Sequence, residues 1–124
     1  MKIQNHRVAV LGASPKPGRY SNQAIKLLLE HGYEVIPVHP KINEIEGLAV
    51  ASSLDDISEA IDTLTLYVSA AISTSLKNQI LQLNPARVIF NPGTENPTLS
   101  TALKKAGIQT EAACTLILLN TQQF

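Results

Sequence analysis

The residues Arg7-Val8-Ala9-Val10-Leu11-Gly12-Ala13-Ser14-Pro15-Lys16-Pro17-Gly18-Arg19 give the strongest indication of how this chain folds. The apolar, valine-rich beginning of this stretch stops at a glycine, which is typical of a buried parallel strand followed by a tight turn. A helix is predicted over Asn22–His31, with Ser21 as its N-cap and Gly32 as the left-handed residue after its end. The stretch therefore predicts a strand, a long turn and a helix in succession.

The alternation of strand and helix continues to the end of the sequence. After the first strand, Arg7–Leu11, strands are predicted at Glu34–His39, Leu48–Val50, Thr63–Val68 and Arg87–Phe90, with a last candidate at Ile108–Glu111. Helices are predicted after Ser53, at Ser73–Leu83 and at Pro97–Ala106. This pattern predicts an α/β fold, a three-layer, Rossmann-like, doubly wound and mainly parallel sheet. Because crossovers are right-handed, we expect its first five strands in the order 3-2-1-4-5.

Composition and charge narrow the class of protein. The 124 residues are 44% hydrophobic and 16% charged, which suits one domain over residues 1–124 with an aliphatic core. The formal net charge is zero, and no apolar run approaches the roughly 18 residues of a membrane helix. Cys114 is the single cysteine, so the sequence allows no disulfide within the chain. We therefore expect a cytoplasmic protein that binds neither nucleic acid nor membrane.

The turn after the first strand has the position of a phosphate-binding loop, without the Gly-x-Gly-x-x-Gly spelling of dinucleotide sites. Gly12 permits a tight turn, and Ser14 is small enough for a phosphate to approach the backbone. Amides at the start of the helix favour an anion, and Lys16 and Arg19 add positive charge. The alternative is an ordinary turn with surface cations, because glycine, serine and proline are common in turns.

The end of the second strand indicates which phosphate ligand to expect. NAD sites commonly carry an acidic residue there, whereas this sequence has Val38-His39-Pro40-Lys41. Lys41 would attract a phosphate, which favours a ligand with a phosphate near its ribose. NADP and coenzyme A are both of that kind, and a merely solvated loop is the alternative.

Three segments of the chain resemble a known family. They are Val8–Ser14, Pro17–Asn22 and Gly32–Lys41, and the pattern continues at Gly47, Ser53–Ile57 and Asp62. Together they resemble the small bacterial CoA-binding domain proteins, which are similar to the N-terminal domain of the succinyl-CoA synthetase α subunit. The resemblance covers essentially the whole chain. It implies a Rossmann fold that binds coenzyme A or an acyl-CoA.

The resemblance also implies which residues contact the ligand. On the phosphate side these are Gly12, Ala13, Ser14, Lys16, Pro17 and Arg19. Near the adenosine they are Val38, His39, Pro40 and Lys41, and the loops that close the crevice contribute Ser69, Asn91, Pro92 and Gly93. The sequence departs from the family pattern at Tyr67–Ala71 and at Phe90–Glu95, on the pantetheine side of the implied site.

No residue is predicted to be catalytic or to bind a metal. Cys114 precedes an apolar run and is interpreted as an inert buried thiol, while His6, His31 and His39 lack metal-ligand spacing. Glu95 is the one carboxylate expected near the crevice. We therefore expect a binding domain without a reaction of its own, with a protein partner or a homodimer left open. The alternatives are a small NADP- or other nucleotide-dependent enzyme, and an interaction module with a vestigial ligand site.

Overall fold

The computed structural model describes residues 6–124, in which strands and helices alternate as predicted. The strands are β1 (Arg7–Leu11), β2 (Glu34–Val38), β3 (Glu44–Ile45), β4 (Leu48–Ala49), β5 (Thr63–Leu66), β6 (Arg87–Phe90) and β7 (Gln109–Ala112). The helices are α1 (Tyr20–Glu30), α2 (Ala70–Ser75), α3 (Lys77–Leu83), α4 (Pro97–Lys105) and α5 (Thr115–Asn120), and a 3-10 turn spans Leu54–Asp56.

Five strands form one parallel sheet in the order β2-β1-β5-β6-β7. The Rossmann-like α/β fold predicted from the sequence is confirmed. The predicted second, first, fourth and fifth strands lie side by side in the expected order. The last candidate strand joins them as β7, beside β6.

The predicted third strand, Leu48–Val50, lies outside the main sheet. β3 and β4 pair with each other in an antiparallel hairpin, because Glu46 and Gly47 form a two-residue turn with φ angles of 51° and 78°. The chain reaches the edge of the main sheet at Ala51, through one parallel bridge to Val38. Leu48 and Ala49, which are predicted to belong to a third strand, therefore pair within the hairpin and not in the main sheet.

Helices cover both faces of the sheet and complete three layers. α1 and α5 pack together over the face that carries Val8 and Val10, whereas α3 and α4 cover the face of Ala9 and Leu11. Because side chains alternate along a strand, β1 contributes to both cores. None of the described helices is long and apolar enough to cross a bilayer.

Two helix predictions need correction. α1 begins at Tyr20, so Ser21, the predicted N-cap, lies buried inside the first turn. Arg19 holds the N-cap position with extended backbone and without a capping side-chain hydrogen bond. The predicted helix Ser73–Leu83 is divided into α2 and α3 at Leu76.

An aromatic cluster lies at the amino-terminal edge of the sheet. The His6 ring packs edge-on against Tyr33, with 4.9 Å between centroids, and lies 5.8 Å from the Phe124 ring. Its Nε2 is 3.2 Å from the Thr63 hydroxyl. Burial lowers the pKa of His6 from its usual 6.5, and the charge of Asp62 offsets part of that effect.

The free energy of unfolding is expected to fall as the pH drops below 6.5. Because the folded state has the lower His6 pKa, the unfolded chain takes up the proton first. The stabilisation is fully present above pH 6.5 and is lost as the pH falls toward the folded-state pKa. Urea unfolding at about pH 7.5 and about pH 5.5 measures the loss. Between these two pH values, the His6→Asn variant should lose less free energy of unfolding than the wild type. The His31→Asn variant, changed at an exposed position, should lose as much as the wild type. Equal losses in all three proteins would contradict this assignment.

Candidate ligand-binding cleft

A cavity of about 760 Å³, which we call the cleft, opens at the carboxyl ends of β1, β2 and β5. The chain passes from β1 through α1 to β2 on one side, while β5 lies on the other side of β1. The direction of winding reverses at this point, which is where open α/β sheets bind their ligands. The volume is typical of sites for small molecules.

The turn after β1 is held between the two neighbouring strands. The Gly12 and Ala13 amides both donate to the Val38 carbonyl at the end of β2, at 3.3 and 3.2 Å. On the other side, the Tyr67 amide donates to the Leu11 carbonyl at 2.8 Å. Gly12 has a φ of +87°, and a Cβ at this position would lie 2.7 Å from the Tyr67 carbonyl oxygen. Position 12 therefore needs a residue without a side chain.

Residues 12–19, which we call the phosphate loop, carry positive charge and lead into the start of α1. The Lys16 amide donates to Ser14 Oγ at 3.1 Å, and the Arg19 amide donates to the Lys16 carbonyl at 3.0 Å. The exposed Lys16 and Arg19 side chains line the cleft. Within residues 6–124, no protein group accepts a hydrogen bond from the amides of residues 20–22, which begin α1. This arrangement suits an anion at the start of the helix.

The charged side chains that line the cleft are positive. They are Lys16 and Arg19, and among the described residues no aspartate or glutamate lines it. Half-buried His39 also contributes to the lining, and its Nδ1 accepts a hydrogen bond from the Lys41 amide at 3.0 Å. This bond assigns the proton of the neutral ring to Nε2. The cleft is therefore electrostatically suited to an anionic ligand.

The opposite wall of the cleft is uncharged. It comes from the end of β5 and from α2 and α3, through Tyr67, Val68, Ile72, Leu76 and Gln79. Ile72 keeps 48% of its surface exposed there. Burial raises the pKa of Tyr67 to about 12, so the phenol is protonated at neutral pH. Its hydroxyl is buried and finds no hydrogen-bond partner among the described residues.

The sequence predictions place Tyr67–Ala71 on the pantetheine side of the implied site, but they name none of these five wall residues as a ligand contact. They place Tyr67 inside a strand over Thr63–Val68, whereas β5 ends at Leu66. They also begin the next helix three residues late, after the Ser69 hydroxyl that caps α2. Ser69 before a helix is a recognisable N-cap signal, and with it the wall residues could be placed on the first turns after β5.

The structure brings eight of the ten residues predicted on the phosphate and adenosine sides to one cavity. Those that line it are Gly12, Ala13, Ser14, Lys16, Arg19, Val38, His39 and Pro40. Those that lie outside its lining are Pro17, Lys41, Ser69, Asn91, Pro92 and Gly93. Pro17 and Lys41 are exposed beside lining residues, and the Ser69 hydroxyl accepts from the Ile72 amide at 3.4 Å.

Asn91 connects three elements behind the cleft. Its Nδ2 donates to the Thr65 hydroxyl at 2.6 Å and to the Leu66 carbonyl at 2.9 Å. Its Oδ1 accepts from the Thr115 amide at 2.9 Å. Asn91 is 2% exposed, and its amide thereby joins the ends of β5 and β6 to the start of α5. Both the Nδ2 and the Oδ1 of Asn91 are therefore hydrogen-bonded within the protein.

The candidate reactive groups lie away from the cleft lining. Cys114 is half-buried at the N-cap of α5. Glu95 accepts a hydrogen bond from the Gly93 amide at 2.9 Å, within the loop after β6. Among the described residues, no three His, Cys, Asp or Glu side chains are grouped so as to hold a metal ion.

Comparisons with known proteins find close relatives of this chain. Residues 6–120 match the profile of a family described as CoA binding domain. The uncharacterized protein YneT of Bacillus subtilis is 30% identical over 104 residues, which are 84% of this chain and 77% of YneT. The alpha subunit of ADP-forming acetate–CoA ligase I of Pyrococcus furiosus is 39% identical over 69 residues, which are 51% of this chain and 15% of that subunit. A crystal structure of an uncharacterized protein superimposes with a TM-score of 0.92 at 40% identity, and covers 98% of this chain and 100% of that one.

Proposed function

We propose that this chain, which belongs to the family of CoA binding domains, binds coenzyme A or an acyl-CoA in the cleft. The charge of the cleft carries the proposal. Lys16 and Arg19 line it, and within residues 6–124 no carboxylate does. Coenzyme A is a polyanion through its phosphates, and a concave surface with positive charge alone attracts such a ligand.

The diphosphate of the ligand is proposed to lie against the phosphate loop and the first turn of α1. The amides of residues 20–22 and the helix dipole favour negative charge there. Lys16 adds a point charge, and Arg19 can contact a phosphate through two N–H groups at once. The cost of ordering these two exposed side chains limits what each contributes.

The remaining parts of the ligand are proposed to follow the walls of the cleft. The adenosine lies toward Val38, His39 and Pro40, with its ribose phosphate near the exposed Lys41. The pantetheine arm, which carries no charge, lies along the uncharged wall formed by the end of β5 and α2. Burial of Ile72, which is 48% exposed in this structure, would contribute apolar contact area.

We propose a binding role, with the reacting groups supplied by a partner protein. Among the described residues that line the cleft there is no cysteine, aspartate or glutamate. His39 and four serines line it, but within residues 6–124 no hydrogen bond joins a serine hydroxyl to His39, so the lining holds no paired serine nucleophile and histidine base. The acetate–CoA ligase subunit is much longer than the stretch that matches this chain, which covers 15% of it.

Coenzyme A is expected to raise the melting temperature of the protein by about 10 °C when present at about 100 times its Kd, where it adds about 2.7 kcal/mol of stability. Differential scanning fluorimetry with CoA, acetyl-CoA, 3′-dephospho-CoA, NADP, NAD and ATP makes the comparison. A smaller shift with 3′-dephospho-CoA than with CoA would support the role of Lys41. A shift with NADP and none with millimolar CoA would replace the proposal by a nucleotide-dependent enzyme.

The double variant Lys16→Ala/Arg19→Ala is expected to bind CoA roughly 30-fold more weakly, because two charge-assisted contacts to phosphate are lost. Isothermal titration calorimetry measures the change. The matched control is Lys104→Ala/Lys105→Ala, which removes the same charge from the exposed end of α4. Equal affinities of the two double variants would show that the phosphate loop is not where the phosphates bind.

A further inference from the structure

The turn of the β3–β4 hairpin contains a residue that is unusual for its backbone conformation. Glu46 has a φ of 51° and precedes Gly47 at 78°, which is the pattern of a type I′ turn. Asparagine or glycine is favoured at the first of these positions, since a left-handed backbone is unfavourable for most side chains. The presence of glutamate at this position therefore indicates a contact outside the turn.

The Glu46 carboxylate reaches the buried side chain of Asn22 in the first turn of α1. Asn22 Nδ2 donates to Glu46 Oε2 at 3.1 Å and to the Ser14 carbonyl at 3.0 Å, and Asn22 is 0% exposed. If the side-chain amide of Asn22 were turned by 180°, its oxygen would lie against two acceptor oxygens and would be repelled by them. Glu46 and Ser14 together therefore define the orientation of this amide. Glu46 thereby completes a chain of contacts from the hairpin to the phosphate loop.

The Ser14 carbonyl matters because the next residue is a proline. The peptide group between Ser14 and Pro15 has a carbonyl oxygen and no N–H. If this peptide turned toward the cleft, it could offer an anion only an acceptor, which would repel phosphate. Its hydrogen bond to buried Asn22, which does not line the cleft, directs the carbonyl away from the place where an anion would lie.

The hairpin is anchored well enough to hold Glu46 in place. Ile45, the residue before it, is 1% exposed and packs in the same core cluster as Ile25 and Leu28 of α1. On the other side of the hairpin, the Val50 amide donates to the Asn43 carbonyl at 3.1 Å. The position of Glu46 relative to α1 is thus set by core packing.

We propose that Glu46 is a positioning residue of the phosphate loop: through Asn22 it holds the Ser14 carbonyl out of the anion site. The expected effect on CoA affinity rests on the proposed function. The contacts from Asn22 to Glu46 and to Ser14 are present in the structure whether or not CoA is the ligand. Glu46 itself does not line the cleft.

Glu46→Asn separates this role from a purely structural one. Asparagine suits the left-handed turn better, and its shorter side chain cannot reach Asn22, so the melting temperature should stay equal or rise while CoA affinity falls about tenfold. Glu46→Gln keeps the reach and an acceptor oxygen, and should bind CoA as the wild type does. Glu44→Asn, which removes the same charge from an exposed residue of the same hairpin, should also leave CoA affinity unchanged.

A second measurement needs no ligand. Amide hydrogen exchange in the free protein should accelerate at Lys16 and Arg19 in Glu46→Asn, and not at Ile25 or Leu28 in the core of α1. Failure of the wild type to bind CoA would count against the proposed function alone, because the exchange result still decides the role of Glu46. Unchanged exchange at Lys16 and Arg19, or a Glu46→Asn affinity equal to that of the wild type, would overturn this inference.

Discussion

Replacing Gly12 by alanine is expected to destabilise the protein by about 3 kcal/mol and to abolish CoA binding, because the new methyl group meets backbone and the residue has a left-handed φ. A Cβ at this position would lie 2.7 Å from the Tyr67 carbonyl oxygen, 2.9 Å from the Tyr67 carbonyl carbon and 2.9 Å from Val68 Cγ1. Hydrogen bonds to Val38 on one side and from Tyr67 to Leu11 on the other leave the turn little freedom to move.

Urea unfolding and CoA titration measure the two effects of Gly12→Ala. The matched control is Gly18→Ala in the same loop, where a Cβ would meet nothing within 4 Å. That variant should be neutral, or more stable by about 0.5 kcal/mol through a less flexible unfolded chain. A Gly12→Ala protein as stable as Gly18→Ala would mean that β1 and the end of β5 are not packed as described.

Replacing Asn91 by alanine is expected to lower the free energy of unfolding by about 3 kcal/mol, because buried partners are left without hydrogen bonds. The Leu66 carbonyl and the Thr115 amide each lose a hydrogen bond of 2.9 Å. Thr65 keeps its bond to the Thr115 hydroxyl at 2.8 Å, so its loss is partial. The three elements that Asn91 connects should then separate more easily behind the cleft.

Chemical denaturation of Asn91→Ala tests this expectation. Asn120→Ala is the matched control, since that asparagine is exposed at the end of α5 and should cost less than about 0.5 kcal/mol. Asn91→Asp is a second probe, because it keeps the acceptor for the Thr115 amide and loses both donated hydrogen bonds. An Asn91→Ala protein as stable as Asn120→Ala would show that the network adds nothing to the fold.

Much of the phosphate loop could be predicted from residues that are close together in sequence. Gly12 after an apolar strand, cations at Lys16 and Arg19, and a helix immediately afterwards are local features with local physical causes. The lack of a carboxylate after the second strand is equally visible in the sequence, at Val38–Lys41. Whether these residues contact a ligand stays a prediction for the binding experiments.

The other wall of the cleft could not be predicted in the same way. Ile72 and Leu76 have the spacing of ordinary core residues, and their place at the cleft follows from the break between α2 and α3. The family resemblance implies a ligand contact at Asn91, and the structure shows its side chain hydrogen-bonded between β5 and α5. The start of α2 is signalled by the Ser69 N-cap, whereas the break at Leu76 and the contacts of Asn91 have no signature within a short window of sequence.

The alternation of strands and helices, the parallel sheet and the turn at Gly12 can be read from the residues alone, because hydrophobic periodicity and turn chemistry act between near neighbours. Tertiary structure alone decided that Leu48–Ala49 stay outside the main sheet, whose edge the chain reaches at Ala51 beside Val38. It also decided that Glu46 meets Asn22, and that Tyr67 faces Gly12. These contacts join residues far apart in the chain, and they exist only after β1, β2 and β5 have come together and α1 has packed on its core.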